Sequence, residues 1–114
     1  APDDQHLEIG VAGKIKVHKG AALEGHRPSG TILLRSIASS FGARSIGVIL
    51  SGMGRDGADG VASIDAAGGR TVIENPESAT VGAMPREAIA CAREPIVDGS
   101  ESLAGHLLRI AGRG

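Results

Sequence analysis

Apolar positions change their spacing several times along the chain, and each change predicts a new element of secondary structure. Residues 6–18 show the pattern of two short strands joined in a β-hairpin. From Thr31 to Ser40, apolar residues recur every three or four positions and end at Gly42, which predicts an amphipathic helix. Residues 46–50 lack alternation, which predicts a central parallel strand covered by helices on both faces.

The second half of the chain repeats this alternation of strand and helix. A helical pattern over residues 61–67 precedes a strand from Arg70 to Glu74. Pro85 is expected to begin the next helix, and a short strand and an amphipathic helix over residues 100–111 follow. This order predicts an α/β fold: a doubly wound, mostly parallel sheet with helices on both faces, three-layered and Rossmann-like, with a side β-hairpin.

The turn after residues 46–50 is the most informative segment, because three glycines surround one acid, Asp56. Gly52, Gly54 and Gly57 allow sharp turns and a close approach of backbone or ligand. Ligands of open parallel sheets bind beyond the carboxyl ends of the strands. The loop that carries Asp56 and the loop over residues 75–85 should therefore form one wall of a cleft.

Three interpretations of this turn stay open on spacing alone. Gly52, Gly54 and Gly57 fit the dinucleotide-binding fingerprint, with Glu74 about 20 residues downstream as the ribose-binding acid. Asp56 argues against it, because its carboxylate would lie at the N-terminus of the following helix, where pyrophosphate should bind. Asp56 could instead cap that helix, or it could orient and stabilise a histidine imidazolium in a catalytic site.

Four segments, in this order, resemble the motifs of one family. They are Ala1-Pro2-Asp3-Asp4-Gln5-His6-Leu7-Glu8, His26-Arg27-Pro28-Ser29, Ser51-Gly52-Met53-Gly54-Arg55-Asp56-Gly57 and Met84-Pro85-Arg86-Glu87-Ala88. Spread over nearly the whole chain, they resemble the C-terminal catalytic domain of the chemotaxis methylesterase CheB. The resemblance implies that residues 1–114 are the C-terminal part of a single catalytic domain of this type.

The resemblance also implies a reaction and its partners. Members of this family hydrolyse glutamate methyl esters on the cytoplasmic segments of chemoreceptors, and some also deamidate glutamine. Their catalytic triad is Ser, His and Asp in chain order, and only the aspartate has a counterpart here, Asp56. The resemblance places the serine and the histidine on an upstream segment, and many relatives carry a receiver domain at the N-terminus. A cytoplasmic location is expected, and this chain by itself is expected to be inactive.

Three further residues are implied to contact the substrate. Met53 would position it through its backbone N–H or its side chain, although a packing role fits equally well. Arg86 would contact acidic receptor segments, unless it forms a surface ion pair with Glu87 or Asp98. His26 is implied to have a structural or substrate-positioning role rather than a catalytic one.

Other positions depart from the family pattern or carry no site of their own. Gly30 and Thr31 stand where many relatives have an apolar residue followed by aspartate. The remaining histidines, His6, His18 and His106, fall in the predicted hairpin and the last helix, so they are predicted to be surface or boundary residues.

Composition excludes several classes of binding site and of protein. The formal net charge of -1 gives no electrostatic footprint for nucleic acid, so nucleic-acid binding is not expected. Cys91 is the single cysteine, which excludes an internal disulfide and a multi-cysteine metal site, and no cofactor or metal is expected. No apolar run approaches the roughly 20 residues of a membrane span. A non-catalytic binding or scaffolding module of the same fold is the alternative to an enzyme.

Overall fold

The computed structural model describes residues 1–23, 25–52 and 54–112 of the chain. Its strands are β1 (His6–Ile9), β2 (Ile15–His18), β3 (Ile46–Ile49), β4 (Arg70–Glu74) and β5 (Ile96–Asp98). Its α-helices are α1 (Gly30–Phe41), α2 (Ala58–Ala66), α3 (Ala83–Cys91) and α4 (Ser100–Ala111). Short 3₁₀ helices span Val11–Gly13 and Gly42–Arg44. None of the helices in this described part has the length and hydrophobicity that a membrane span requires.

The strands form two separate sheets. β1 and β2 pair in antiparallel fashion, with His6 opposite His18, and make the predicted hairpin. β3, β4 and β5 are parallel and lie in that order, with Val72 of β4 between Val48 and Ile96. Helices connect the parallel strands, as parallel pairing requires. The predicted α/β fold with a side β-hairpin is therefore confirmed.

Helices cover both faces of the parallel sheet. Because side chains alternate along a strand, Ile49 and Ile73 lie on one face and Val72 lies on the other. Ile49 and Ile73 belong to the main core cluster, whose other buried members come from α1, α2 and α3: Leu34, Ala38, Val61, Ile64 and Ala88. On the opposite face, α4 packs against β4 and β5 and buries its Leu103.

Within the described part of the chain, the central strand of the three is β4, and β3 does not have the central position that the sequence predicts. Thr71, Val72 and Ile73 of β4 are at most 2% exposed. Val48 of β3 and the following Leu50 are 36% and 52% exposed, and β3 pairs with a single strand among the described residues. A run of apolar residues indicates that a strand is suited to burial, but it does not predict which strands pair with it.

Local backbone geometry sets the ends of the helices near the Asp56 turn. α1 ends where Gly42 adopts a φ of 54° and donates its N–H to Ala38 O, as predicted. α2 begins at residue 58, three residues before its apolar pattern indicated, directly after Gly57 with a φ of 94°. α3 begins at Ala83, so Pro85 occupies its third position instead of its first.

Candidate active site around Asp56

The Asp56 carboxylate lies at the N-terminus of α1 and accepts three hydrogen bonds there. Oδ1 accepts a 2.8 Å bond from the Ser29 hydroxyl and a longer, 3.4 Å bond from the Thr31 N–H. Oδ2 accepts a 2.7 Å bond from the Gly30 N–H. The free N–H groups and the dipole of a helix give its N-terminus a partial positive charge, which stabilises a carboxylate. Asp56 is thus a half-buried acid held by the start of a helix far from it in sequence.

The sequence predicts Asp56 at the N-terminus of α2, and this prediction is wrong. α2 starts after Gly57 without a side-chain cap, and the carboxylate reaches back to α1 instead. The positive φ of Gly57 allows the reversal of direction, and its N–H donates to Thr31 Oγ1 at 2.8 Å. The side chain of Asp56 and the backbone of Gly57 therefore both fasten the turn to the first residues of α1.

The two positions that depart from the family pattern both contact this turn. Thr31 supplies the hydroxyl oxygen that accepts the Gly57 N–H. A Cβ atom placed at Gly30 would lie 3.3 Å from Asp56 Oδ2, so a larger residue there would press on the carboxylate. In this chain, Thr31 thus provides an acceptor for the turn, while Gly30 leaves space beside Asp56.

The loops that follow β3 and β4 lie side by side, as expected for one wall of a cleft. Gly52 donates its N–H to Val81 O at 2.9 Å, and its own carbonyl accepts the Met84 N–H at 2.9 Å. Ser51 Oγ accepts the Val81 N–H at 2.8 Å. These bonds fix the loop that leads to Asp56 against the loop that leads to α3.

Glu74 has a structural partner, which opposes the dinucleotide-binding interpretation. The residue is 6% exposed, and its Oε1 accepts the Ser51 N–H at 3.0 Å. A ribose-binding acid has to face the ligand instead. The Gly57 N–H at the start of α2, where pyrophosphate would bind, is already bonded to Thr31. Among the described residues, no group of three or more His, Cys, Asp or Glu side chains is arranged to hold a metal ion.

His6 is completely buried, so its prediction as a surface or boundary residue is wrong. β1 packs against α1 and thereby encloses the ring. Its Nδ1 accepts the Ser29 N–H at 3.2 Å, and its Nε2 lies 2.9 Å from Ala21 O. His18 and His106 are half-buried, in agreement with the prediction, and each bonds a carboxylate.

The other predicted site residues differ in what surrounds them. His26 is half-buried, and its side chain has no hydrogen-bond partner within the described ranges. Arg86 is exposed in the first turn of α3 and forms no ion pair with Glu87 or Asp98 in the part of the chain that the structure describes. Met53 lies outside the described residues.

The sequence did not reveal the contact of Ser29 with Asp56 or that of Arg27 with Asp4, although it predicts Ser29 as a helix cap. Ser29 is the N-cap of α1, accepting the Ile32 N–H at 3.4 Å, and it also donates to Asp56. The Arg27 guanidinium bonds Asp4 at 2.7 Å. Both belong to the His-Arg-Pro-Ser segment, and that motif was the available signal. Their partners lie 27 and 23 residues away, so spacing along the chain could not identify them.

A cavity of about 280 Å³ opens beside Asp56. It is lined by Ala1, Leu7, Pro28, Ser29, Gly30, Leu33 and Asp56. Apart from Asp56 and Ser29, its side chains are apolar. Apolar surroundings strengthen the electrostatic interaction between a carboxylate and a cation. The arrangement can therefore orient an imidazole ring beside Asp56 and stabilise its protonated form.

Comparison with known proteins identifies the class to which this fold belongs. The catalytic domain of the CheB methylesterase from Thermotoga maritima matches with a TM-score of 0.86 and 29% identity, over 96% of this chain and 60% of that chain. The fold is thus that of a CheB-type catalytic domain. The family model of CheB methylesterase matches residues 1–107, and the chain belongs to the CheB methylesterase family.

Curated relatives share this similarity over most of the chain. The protein-glutamate methylesterase/protein-glutamine glutaminase 3 of Anaeromyxobacter dehalogenans is 44% identical over 108 residues, which cover 94% of this chain and 32% of the relative. The protein-glutamate methylesterase FrzG of Myxococcus xanthus is 49% identical over 89 residues, which cover 78% and 27%. The matched part of the chain spans 32% and 27% of the length of these two relatives.

Proposed function

We propose that the protein containing this chain is a protein-glutamate methylesterase of chemotaxis, which hydrolyses glutamate methyl esters on chemoreceptors. The observation that carries this proposal is the Asp56 carboxylate, held by Ser29, Gly30 and Thr31 at the edge of the sheet where α/β proteins bind ligands. The names of both relatives support the reaction. The name of the Anaeromyxobacter relative supports glutamine deamidation as a second reaction of the same site.

In this proposal Asp56 is the acid of a Ser-His-Asp triad. Its Oδ1 accepts bonds from Ser29 and Thr31, whereas Oδ2 accepts the Gly30 N–H alone among the described residues. A carboxylate oxygen has two lone pairs, so Oδ2 can accept one more bond, from an imidazole N–H. Asp56 then holds the imidazole in the correct tautomer and stabilises the imidazolium that forms when the serine is activated.

The remaining chemistry follows from that orientation. The imidazole takes the proton of the serine hydroxyl as the serine oxygen attacks the ester carbonyl of the receptor glutamate. The imidazolium returns the proton to the departing methoxide, so methanol leaves and an acyl-enzyme remains. Water, activated by the same imidazole, then hydrolyses the acyl-enzyme and releases glutamate and free serine.

We place the serine and the histidine of the triad on another segment of the same domain. In the described part of the chain, no histidine bonds Asp56. Because the match covers 60% of the Thermotoga chain, that domain contains elements without a counterpart here. β3 has no second pairing partner in the described ranges, and this unpaired edge and the exposed Val48 and Leu50 support a further strand beside β3. An upstream receiver domain is part of the same proposal.

The proposed substrate is a methylated cytoplasmic segment of a chemoreceptor, which implies a cytoplasmic location. Arg86 is exposed and follows the loop that is bonded to the Asp56 loop, and its guanidinium is suited to acidic receptor side chains. His26 lies three residues before Ser29 and is proposed to position the substrate. Met53 precedes Asp56 by three positions in the sequence, and its backbone N–H is proposed to bind the ester.

The experiment that tests this function is release of methanol from a receptor carrying labelled methyl esters. The whole protein should release labelled methanol, and treatment with a serine-reactive phosphonate should abolish the release. Residues 1–114 produced alone should release none, because the proposal places the nucleophile and the base on another segment. Release by residues 1–114 would contradict the triad.

A non-catalytic scaffold is the second candidate, and one observation favours it. Asp56 already has a structural contact set at the start of α1, which a protein without catalytic function would also need. Stable binding of the receptor by the whole protein, with no methanol released, would support the scaffold and reject the methylesterase.

A further inference from the structure

A buried histidine that has no place in the triad is connected to Asp56 by hydrogen bonds. His6 Nδ1 accepts the Ser29 N–H at 3.2 Å, so this nitrogen carries no proton. The proton is therefore on Nε2, which donates to Ala21 O at 2.9 Å. Both ring nitrogens of this neutral tautomer have a partner, and the ring is completely enclosed.

Ser29 links this ring to the carboxylate. The residue is 3% exposed, and hydrogen bonds constrain both its backbone N–H and its hydroxyl. The N–H donates to His6, and the hydroxyl donates to Asp56 Oδ1 at 2.8 Å. A change in the backbone orientation at Ser29 would move the hydroxyl, and with it the oxygen to which Asp56 is bonded.

We propose that His6 is a positioning residue for Asp56, acting through Ser29. This inference rests on the proposed function, because its effect on turnover requires Asp56 to be the triad acid. His6 fixes the backbone of Ser29, and Ser29 fixes Oδ1, so that Oδ2 faces the incoming imidazole. Displacements of about 1 Å at such a site cost on the order of 100-fold in rate, so an indirect contact of this kind is measurable.

His18 provides a matched control inside the same hairpin. It lies opposite His6, with ring centroids 5.6 Å apart. Its hydrogen bonds follow the same pattern, since Nδ1 accepts the Gly20 N–H at 3.0 Å and Nε2 bonds Glu8 at 2.6 Å. Neither bond leads to Ser29 or Asp56. Substitution of His18 therefore perturbs the hairpin without breaking the connection to Asp56.

The test compares two substitutions that each keep one of the two bonds of His6. In His6→Asn the amide oxygen replaces Nδ1 and still accepts the Ser29 N–H. In His6→Gln the longer amide reaches toward Ala21 O, and the bond to Ser29 is lost. In the whole protein we expect kcat within about 3-fold of wild type for H6N and a loss on the order of 10- to 100-fold for H6Q, with KM unchanged. H18N and H18Q should both keep the kcat of wild type.

A structural readout separates this inference from the proposed function. The Ser29 amide should exchange its hydrogen slowly in wild type and H6N and faster in H6Q. Equal kcat values for H6N and H6Q, or an equal loss of kcat in H18Q, would overturn the positioning role while wild type still releases methanol. A wild-type protein that releases no methanol would instead reject the proposed function.

A second variant keeps the inference testable if H6Q does not fold. Ser29→Ala removes the hydroxyl that bonds Asp56 but keeps the backbone N–H that bonds His6. We expect S29A to lower kcat by a similar factor without changing KM. An unchanged kcat in a folded S29A protein would overturn the proposed connection between His6 and Asp56.

Discussion

Asp56 and Asp98 both lie at the carboxyl-end edge of the parallel sheet, but they are held in opposite ways. Asp56 bonds a hydroxyl and two backbone N–H groups at the start of α1, beside a cavity. Asp98 ends β5, and its side chain is 44% exposed and bonds His106 at 2.9 Å. Asp98 therefore has a histidine partner but does not line the cavity beside Asp56.

The difference teaches how a candidate for a triad aspartate can be recognised when no histidine among the described residues bonds it. A His–Asp contact on an exposed surface is common and contributes little free energy. The informative features of Asp56 are its several donors, its position beyond β3 and the unused lone pair of Oδ2. By these criteria, Asp56 rather than Asp98 is the candidate for catalysis.

The strongest test of this difference is to replace each aspartate separately by asparagine in the whole protein. Asp56→Asn should lower kcat by about 10,000-fold, the effect known for loss of a triad aspartate, because the imidazole loses its orienting acceptor. Asp98→Asn should leave kcat unchanged. Methanol release measures both, and circular dichroism verifies that each variant is folded. Similar kcat values for the two variants would remove the distinction between the two acids.

Glycines in α2 and α4 offer a second contrast, in stability. A Cβ at Gly60 would lie 2.7 Å from Leu34 Cβ and 3.1 Å from Thr31 Cα, so α1 and α2 approach closely there. Gly60→Ala should lower the free energy of unfolding by about 3 kcal/mol through overpacking. A Cβ placed at Gly105 of α4 would have no atom within 4 Å. Because alanine favours a helix more than glycine does, Gly105→Ala should raise the free energy of unfolding by about 0.5–1 kcal/mol. Denaturant unfolding measures both changes, and equal effects would contradict the packing difference.

The hydroxyl of Thr31 gives a smaller expected change on the Asp56 side. Thr31→Val keeps the shape of the side chain but leaves the Gly57 N–H without its acceptor. The free energy of unfolding should fall by about 1–2 kcal/mol, as expected for an unsatisfied buried donor. Thr31→Ser, which keeps the hydroxyl, is the matched control. If valine and serine have the same effect, the hydrogen bond does not stabilise the turn.

The smallest expected effect is a pH dependence on the Asp98 side. The hydrogen bond from His106, with a second one from the Gly99 N–H, lowers the pKa of Asp98 below its ordinary value. A depressed pKa in the folded state contributes stability above the unfolded-state pKa of about 3.9, and this contribution is lost as the pH falls through the lower, folded-state pKa. Wild type should therefore exceed D98N in stability at pH 6 and lose that advantage in acid below about pH 4. An advantage that is constant from pH 6 to pH 2 would contradict the assignment.

Local signals were enough to predict most elements of the fold. The spacing of apolar residues from Thr31 to Ser40 and the stop at Gly42 placed α1 within one residue at each end. The hairpin was predicted for the same reason, since its strands are adjacent in sequence. The place of β3 at the edge of the sheet formed by the described residues was not predictable, because the order of strands depends on pairing between distant segments.

The candidate site could be predicted as a turn but not as a set of contacts. The glycines around Asp56 and the resemblance of the turn to a family motif identified the residue. Its bonds to α1 join residues that are 25 to 27 positions apart in the sequence. The spacing of apolar residues predicts helices and strands, but it does not predict contacts between segments so far apart. The burial of His6 was missed for a related reason, because a histidine on a short strand carries no local sign that a helix will cover it.

The bonds between Asp56 and α1 have a consequence for the evolution of this family. Ser29, Gly30 and Thr31 donate to Asp56, and a buried donor left without its acceptor costs about 1–3 kcal/mol, so selection for folding alone favours an aspartate at this position. A descendant that had lost its nucleophile would therefore still tend to keep the acid. An aspartate at this position in a homologue would then be evidence of the architecture, and inheritance of the enzyme activity has to be judged from the nucleophile and the base.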